Sequence, residues 1–260
     1  MAGSLTNAEI KARIAASYNQ IAQKYLDWST PHRNDSISFL QKYIIPHLNS
    51  VSDSYTAREQ ELGSRRQGVA ALELGCGAGI PTTQLLASVR NIHITANDIS
   101  PKQISLARQN LVSLSHSSSS ISLMKGDMMK LSFPRSKFDA VVAMYSIFHL
   151  PRPEQTVLLS KISSWLKPEG LLLCCFPSEE LEQLVEQDWL EKGVWMFWSS
   201  WGKMRSLEMV RDAGLEVIME QVIGDEGGVD DAKGKAKPKF LWVVARKGGA
   251  KAGAQGEDSR

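Results

Sequence analysis

Ile10, Ile14, Tyr18, Ile21, Ala22 and Tyr25 recur at helical spacing and lay one apolar stripe along a helix over residues 6–28. A second helix is expected over residues 35–48, and the stretch after it, 49–68, is polar and without period, which reads as a surface insertion or linker. From Val69 the pattern changes. The short apolar runs VAALEL, HITAND, SLMKGD, FDAVVAMY and GLLLCCF alternate with helical stretches expected over residues 81–89, 101–114 and 154–165. Strands separated by helices imply crossovers, and therefore a parallel sheet covered on both faces. A helix over residues 203–213 stops at Gly214 and is followed by LEVIMEQVI and KFLWVVARK, two strands with no helix between them, which predicts a closing antiparallel hairpin. The serine tract at 117–120 reads as a flexible connection, and the loop over 224–239 and the tail 248–260 as mobile, disordered segments.

Composition narrows the field only slightly. With 30 Lys+Arg against 28 Asp+Glu the formal net charge is +2, too small an excess to favour nucleic acid as a partner. The three cysteines, Cys76, Cys174 and Cys175, form no CxxC pair, and the adjacent two sit in an apolar run as buried thiols; no metal site is expected. No apolar stretch approaches the ~20 residues that span a bilayer. Charges stand in the N-terminal residues where a signal peptide would be apolar, so a cytoplasmic, reducing setting without membrane is the expectation.

The most informative segment is ALELGCGAGIPT, where a strand runs into Gly75, Gly77 and Gly79 before a helix. Such glycines let the backbone turn sharply and approach a ligand, and the helix start favours a negatively charged group. A dinucleotide fingerprint would need a further glycine where Ile80 stands, so a pyrophosphate cofactor is disfavoured. Asp98 closes the second strand, where its carboxylate can accept from two ribose hydroxyls or instead cap the helix opening at Pro101. Asp127 and Met128 close the third strand. A carboxylate there can accept from an exocyclic amine and a soft side chain can cover an aromatic ring, although a loop Asp and a core Met are the commoner fates of each.

LELGCGAG, NDIS, KGDMMKLSF, FDAVVAMYSIFHLP and SWLKPEGLLL together resemble the successive motifs of class I S-adenosylmethionine-dependent methyltransferases. The resemblance spans Val69 to Phe176, with the family's closing hairpin matched by Leu215 to Lys247. It implies an α/β fold with a Rossmann-like, seven-stranded, mostly parallel sheet over residues 69–247, preceded by an N-terminal helical lid and polar linker over residues 1–68. It further implies that Glu73, Gly75, Gly77 and Gly79 line the methionine part of S-adenosylmethionine. Asp98, with Ile99 beside it, would hold the ribose, Asp127 and Met128 the adenine, and Met144 and Tyr145 would face the methionine end. In the lid, Tyr18 and Tyr25 would close over the cofactor or serve as half-buried aromatics of an amphipathic helix.

Methyl transfer needs mainly positioning, so a general base is optional. His149, directly after the fourth strand, is the best single candidate for one, with Tyr145 as a second catalytic candidate; a structural hydrogen bond is the competing role for the imidazole. Four of the seven tryptophans fall between Trp189 and Trp201. Trp195, Trp198 and Trp201 form a candidate wall for a flat, apolar or cationic acceptor, or alternatively a hydrophobic cluster that pins a loop to the sheet. No N/D-P-P-Y motif follows the fourth strand and no reactive thiols surround the pocket, so neither nucleic-acid bases nor arsenic is favoured as acceptor. The leading reading is methyl transfer to N, O or S of a small molecule of a biosynthetic pathway. A binding protein or scaffold that kept the cofactor fold without transfer is the alternative, and a nicotinamide-dependent oxidoreductase is disfavoured.

Overall fold

The computed structural model describes residues 5–62, 68–114, 119–224 and 237–249. Residues 117–118 of the serine tract, 225–236 of the last loop and the tail from 250 lie outside the described residues. Among the described residues nine strands form, β1 (Val69–Leu74), β2 (Ile92–Asp98), β3 (Ser120–Lys125), β4 (Phe138–Ala143), β5 (Leu166–Pro177), β6 (Glu180–Glu186), β7 (Met196–Trp201), β8 (Leu215–Gly224) and β9 (Lys239–Lys247). Seven of them make one sheet in the order β3-β2-β1-β4-β5-β9-β8. β9 runs antiparallel to both of its neighbours, and the pairs from β3 through β5 are parallel. The expected α/β sheet and its closing hairpin are therefore present.

Eight α-helices among the described residues flank the strands: α1 (Asn7–Gln20), α2 (Ala22–Ser29), α3 (Asn34–Phe39), α4 (Ile45–Leu62), α5 (Thr82–Leu86), α6 (Pro101–Asn110), α7 (Arg152–Trp165) and α8 (Gly202–Asp212). Leu40, Ile44, Leu48, Leu86 and Ile104 pack on one face of the sheet, and Leu158, Leu159, Ile162, Leu207 and Val210 on the other. Each sheet face is thus buried, which is why β4 is an unbroken apolar run with one aspartate rather than an alternating one. Among the described residues no helix is long and apolar enough to cross a membrane.

Two expectations are corrected. Residues 49–62 are not a linker, because α4 carries the helical path through a π-turn at Leu40–Ile44 and on to Leu62. The stripe Ile44, Leu48, Val51, Tyr55 continues the helical period under the polar residues, and its members pack on the core. The tryptophan-rich segment is only in part a loop, since β6 and β7 pair as a separate antiparallel ribbon that carries Trp198 and Trp201, with Trp189 and Trp195 in the connection between them. ELEQLVE keeps both faces of β6 largely exposed, so no apolar alternation announces it.

Asp139 on β4 ties α4 to the amino ends of the strands. Its buried carboxylate accepts from the Ala70 N–H at 2.8 Å, from the Tyr55 hydroxyl at 3.0 Å and from Lys167 Nζ at 2.7 Å. Removing one member of a buried pair strands the other, which costs roughly 3 to 5 kcal/mol in dry sites. Lys167 keeps some solvent, so Asp139→Ala is expected to lower stability by about 2 to 3 kcal/mol, read as a lower midpoint in urea unfolding; an unchanged midpoint removes the staple.

Candidate active site

The carboxyl ends of β1 to β4 face one cleft, at the place where strand order reverses between β1 and β4 and where open α/β sheets bind ligands. The cleft holds about 740 Å³ of space, part of it open to solvent. After β1 the Gly75 and Cys76 N–H groups both donate to the Asn97 carbonyl, at 2.8 and 2.9 Å, which turns the loop toward β2. Gly75 has φ +77, and a Cβ there would collide with the Ser146 side chain, so this position admits no larger residue.

Asp98, 8% exposed, lines the cleft. Its oxygens accept from the Gly77 N–H at 2.9 Å and the Ser100 N–H at 2.8 Å. The helix cap is Ser100, whose hydroxyl accepts from Gln103 N–H, so Asp98 is left to face the cleft. Burial pushes its pKa up to about 6, against the pull of those backbone N–H groups. Asp127 caps a short turn through the Met129 N–H at 2.9 Å, and its other oxygen pairs with Lys11 Nζ at 2.7 Å. Lys11 also meets Glu154 at 2.9 Å, so α1 is latched across the cleft by two carboxylates.

The lid itself is well made. Thr6 and Glu9 form a reciprocal capping box that starts α1, and Ile10 and Ile14 bury against Trp195 and Phe197. Tyr18 reaches the cleft and its hydroxyl lies 2.9 Å from His149 Nε2. His149 Nδ1 lies 2.9 Å from the Phe197 carbonyl, which can only accept, so Nδ1 carries the proton and Nε2 accepts from Tyr18. Burial lowers the His149 pKa to about 4 and pushes the Tyr18 hydroxyl well above its ordinary value, so both are neutral at pH 7.

Of the residues singled out in the sequence, the cleft brings together Tyr25, Gly75, Gly77, Asp98, Ile99, Asp127, Met128, Met144, Tyr145 and His149. Glu73 is not among its lining residues. It is 5% exposed beneath the loop, accepts from the Thr83 hydroxyl, and burial raises its pKa to about 8. Gly79 serves packing, since a Cβ there would come within 2.7 Å of Leu111. The three tryptophans do not line the cleft either. Trp195 lies under the Arg13 guanidinium against α1, Trp198 stands behind His149 with ring centroids 6.2 Å apart, and Trp201 donates to the Arg152 carbonyl. These contacts are those of the hydrophobic-cluster alternative.

Lys11, Arg33, Gln103 and Ser146 line the cleft and were not read from the sequence. Spacing gave no signal for the first two, because contacts across the fold bring them there. Gln103 and Ser146 are informative. Both amide atoms of Gln103, which is 1% exposed, and the hydroxyl of Ser146, 5% exposed, have no partner, although buried polar groups are almost always paired. A polar ligand is what such a cleft fits.

Strand order, glycine loop and strand-end acids stand as the sequence resemblance to class I methyltransferases implies. Residues 71–170 match the family described as Methyltransferase domain. The malonyl-[acyl-carrier protein] O-methyltransferase of Halalkalibacterium halodurans is 30% identical over 145 residues, covering 55% of this chain and 49% of that protein. The chain thus spans about half the length of that relative. Among solved structures, the 1,6-didemethyltoxoflavin-N1-methyltransferase of Burkholderia thailandensis superposes with a TM-score of 0.58 at 15% identity, over 95% of this chain and 93% of that one. The magnesium protoporphyrin IX methyltransferase of Synechocystis PCC 6803 gives 0.57 at 17%, over 95% and 100%. At such identities the likeness is one of fold.

The buried acid and the buried imidazole act on stability in opposite directions. Folded Glu73 holds its proton up to about 8 but unfolded Glu loses it near 4.5, so its contribution is lost as pH rises between these values. His149, neutral down to about 4 when folded, protonates near 6.5 when unfolded, so its contribution is lost as pH falls through that window. Between pH 7 and 8 only the Glu73 effect remains of the two. Wild-type urea midpoints should fall from pH 7 to 8, while Glu73→Gln should show a flatter dependence; parallel slopes would mean that Glu73 is ionised in the fold.

Proposed function

We propose that the protein is an S-adenosylmethionine-dependent methyltransferase that acts on a nitrogen, oxygen or sulfur of a small-molecule acceptor. The observation that carries this reading is the joint presentation of Gly75, Gly77, Asp98 and Asp127 at three successive strand ends, beside buried polar groups that lack partners. Asp98 would hold the ribose hydroxyls, since each of its oxygens retains a lone pair beyond the backbone bond that fixes it. Asp127 and Met128 would take the adenine, and Gly75, Gly77, Met144 and Tyr145 the methionine end. When bound, the cofactor supplies a methyl carbon already activated by its sulfonium charge.

The chain's own contribution is then to bind, orient and exclude water. Orientation alone is worth on the order of 7 to 11 kcal/mol of such a barrier, more than a general base supplies. Tyr18 is the group through which His149 reaches the cleft. Its oxygen can accept a hydrogen bond from an acceptor N–H or O–H while its own proton points to His149 Nε2. An imidazole kept neutral down to about pH 4 is a poor proton sink, so the pair is better suited to orient an acceptor than to ionise it.

Two measurements check this. Calorimetry should show saturable binding of S-adenosylhomocysteine and none of NAD, and Asp98→Ala should weaken the former by about 10- to 100-fold through lost charge-assisted hydrogen bonds; unchanged affinity takes Asp98 out of the site. Tyr18→Phe should lower kcat by roughly 10- to 100-fold with S-adenosylhomocysteine affinity nearly intact, and its rate should stay level from pH 7 to 8, above the range in which Asp98 titrates and far above that of His149. A wild-type rate that climbs between pH 7 and 8 would instead identify a titrating base.

A further inference from the structure

The polar groups on the lid side of the cleft all point one way, and a backbone carbonyl sets the direction. The Phe197 carbonyl on β7 can only accept, so His149 Nδ1 donates to it at 2.9 Å and Nε2 is left as an acceptor. The Tyr18 hydroxyl, 2.9 Å from Nε2, therefore directs its single proton there. A hydrogen bond also joins the Tyr18 and Tyr25 hydroxyls, and with the Tyr18 proton committed it is Tyr25 that donates. Tyr18 keeps one lone pair beyond that bond, and both tyrosines line the cleft. The lid thus presents the ligand with an oxygen that accepts.

Among the described residues that line the cleft, no group stands ready to take a proton from an acceptor. The Nε2 lone pair already faces Tyr18, and burial lowers the imidazole pKa to about 4. Lys11 and Arg33 are cations with no lone pair to offer, and Tyr25 and Tyr145 bring hydroxyls, far weaker bases than an imidazole. Asp98 holds two backbone N–H groups, and Asp127 holds one with Lys11 on its other oxygen. The methyltransferase reading, on which this inference rests, lays both carboxylates against the nucleoside.

We propose that the acceptor is an aromatic amine, whose neutral N–H nitrogen donates to the Tyr18 oxygen and attacks with its own lone pair. An alcohol or thiol needs its proton removed as it attacks, and nothing in the cleft removes it. A carboxylate brings no hydrogen to Tyr18 and would set its charge against a lone pair. An alkyl amine, with a pKa of about 10, enters as an ammonium and has no lone pair until a base strips it. An aromatic amine is neutral at pH 7 and meets both conditions. Its ring suits a cleft lined by Ile14, Met144 and Leu150 beside the rings of Tyr25 and Tyr145. In the transfer, the nitrogen lone pair forms the bond to the methyl carbon while the C–S bond breaks with its electron pair on sulfur. The positive charge passes from sulfur to nitrogen, and the resulting arylammonium, a strong enough acid to ionise in neutral water, gives its proton to water on release.

The experiment supplies the wild type with S-adenosylmethionine and, at neutral pH, four probes on one skeleton: 2-naphthylamine, 2-naphthol, 2-naphthoate and 2-naphthylmethylamine. Methylated product is read by mass spectrometry. The aromatic amine should react at least about 100-fold faster than the other three, since a missing base costs an O–H nucleophile roughly 10²- to 10⁴-fold. Tyr18→Phe should lower kcat for the aromatic amine by about 10- to 100-fold and leave S-adenosylhomocysteine affinity, measured by calorimetry, within about 2-fold of wild type. Naphthol, naphthoate or the alkyl amine reacting as fast as the aromatic amine overturns the proposal. Product from none of the four, or a Tyr18→Phe variant as active as wild type, overturns it equally. Intact binding of S-adenosylhomocysteine beside any of those results leaves the methyltransferase reading standing, whereas wild type that does not bind it sinks that reading and this proposal together.

Discussion

The cleft exists because the loops after β1 and β4 touch where no side chain stands between them. Gly75 meets Ser146 so closely that any Cβ would force the two loops apart, and two N–H groups of the glycine loop share the Asn97 carbonyl. That contact sets the floor of the site. Asp98 is fixed by donors from both sides of it, one from the glycine loop and one from the start of α6. Replacing the glycine would therefore disturb a carboxylate on the neighbouring strand as well as the turn itself.

Over this floor the lid is held by unlike forces at different points. Apolar packing of Ile10, Ile14 and Ile21 on β7 and its neighbours supplies the bulk, as burial does elsewhere. Lys11 adds an ionic latch to Asp127 and Glu154, and Asn19 accepts from the Ser100 hydroxyl at the head of α6. Asp127 is thus both a lid contact and a candidate adenine contact, and any ligand amine that approaches it meets a carboxylate already shared with Lys11. A ligand amine at Asp127 and the seating of α1 would therefore draw on the same carboxylate.

The tryptophans illustrate how a sequence can locate an aromatic cluster without locating its purpose. Their crowding between Trp189 and Trp201 is visible in one dimension, and an acceptor wall was a reasonable reading of it. Whether an aromatic faces a cleft or a neighbouring helix depends on which side of β7 it occupies and on what α1 brings to that side. Here α1 and α2 cover two of them, since Trp195 packs with the isoleucines of α1 and Trp189 contacts Tyr18, Tyr25 and Trp28, whereas Trp201 lies against Arg152. The β6–β7 ribbon was hidden for a related reason, since a strand exposed on both faces has no reason to alternate.

What the sequence determined by itself was the periodicity of the sheet and its helices, the glycine loop, and the acids at the strand ends. Each of these is a local matter, fixed by backbone geometry and by residues a few positions apart. Asp98 and Asp127 were legible because strand ends are legible. α4 was partly so, its stripe running on through Val51 and Tyr55 beneath a polar surface. Only the tertiary structure decided that Tyr18 speaks for His149, that Lys11 and Arg33 reach the cleft, and that Glu73 lies under it. Tyr18 and His149 stand 131 positions apart, and no local spacing encodes which side chains a folded sheet brings face to face.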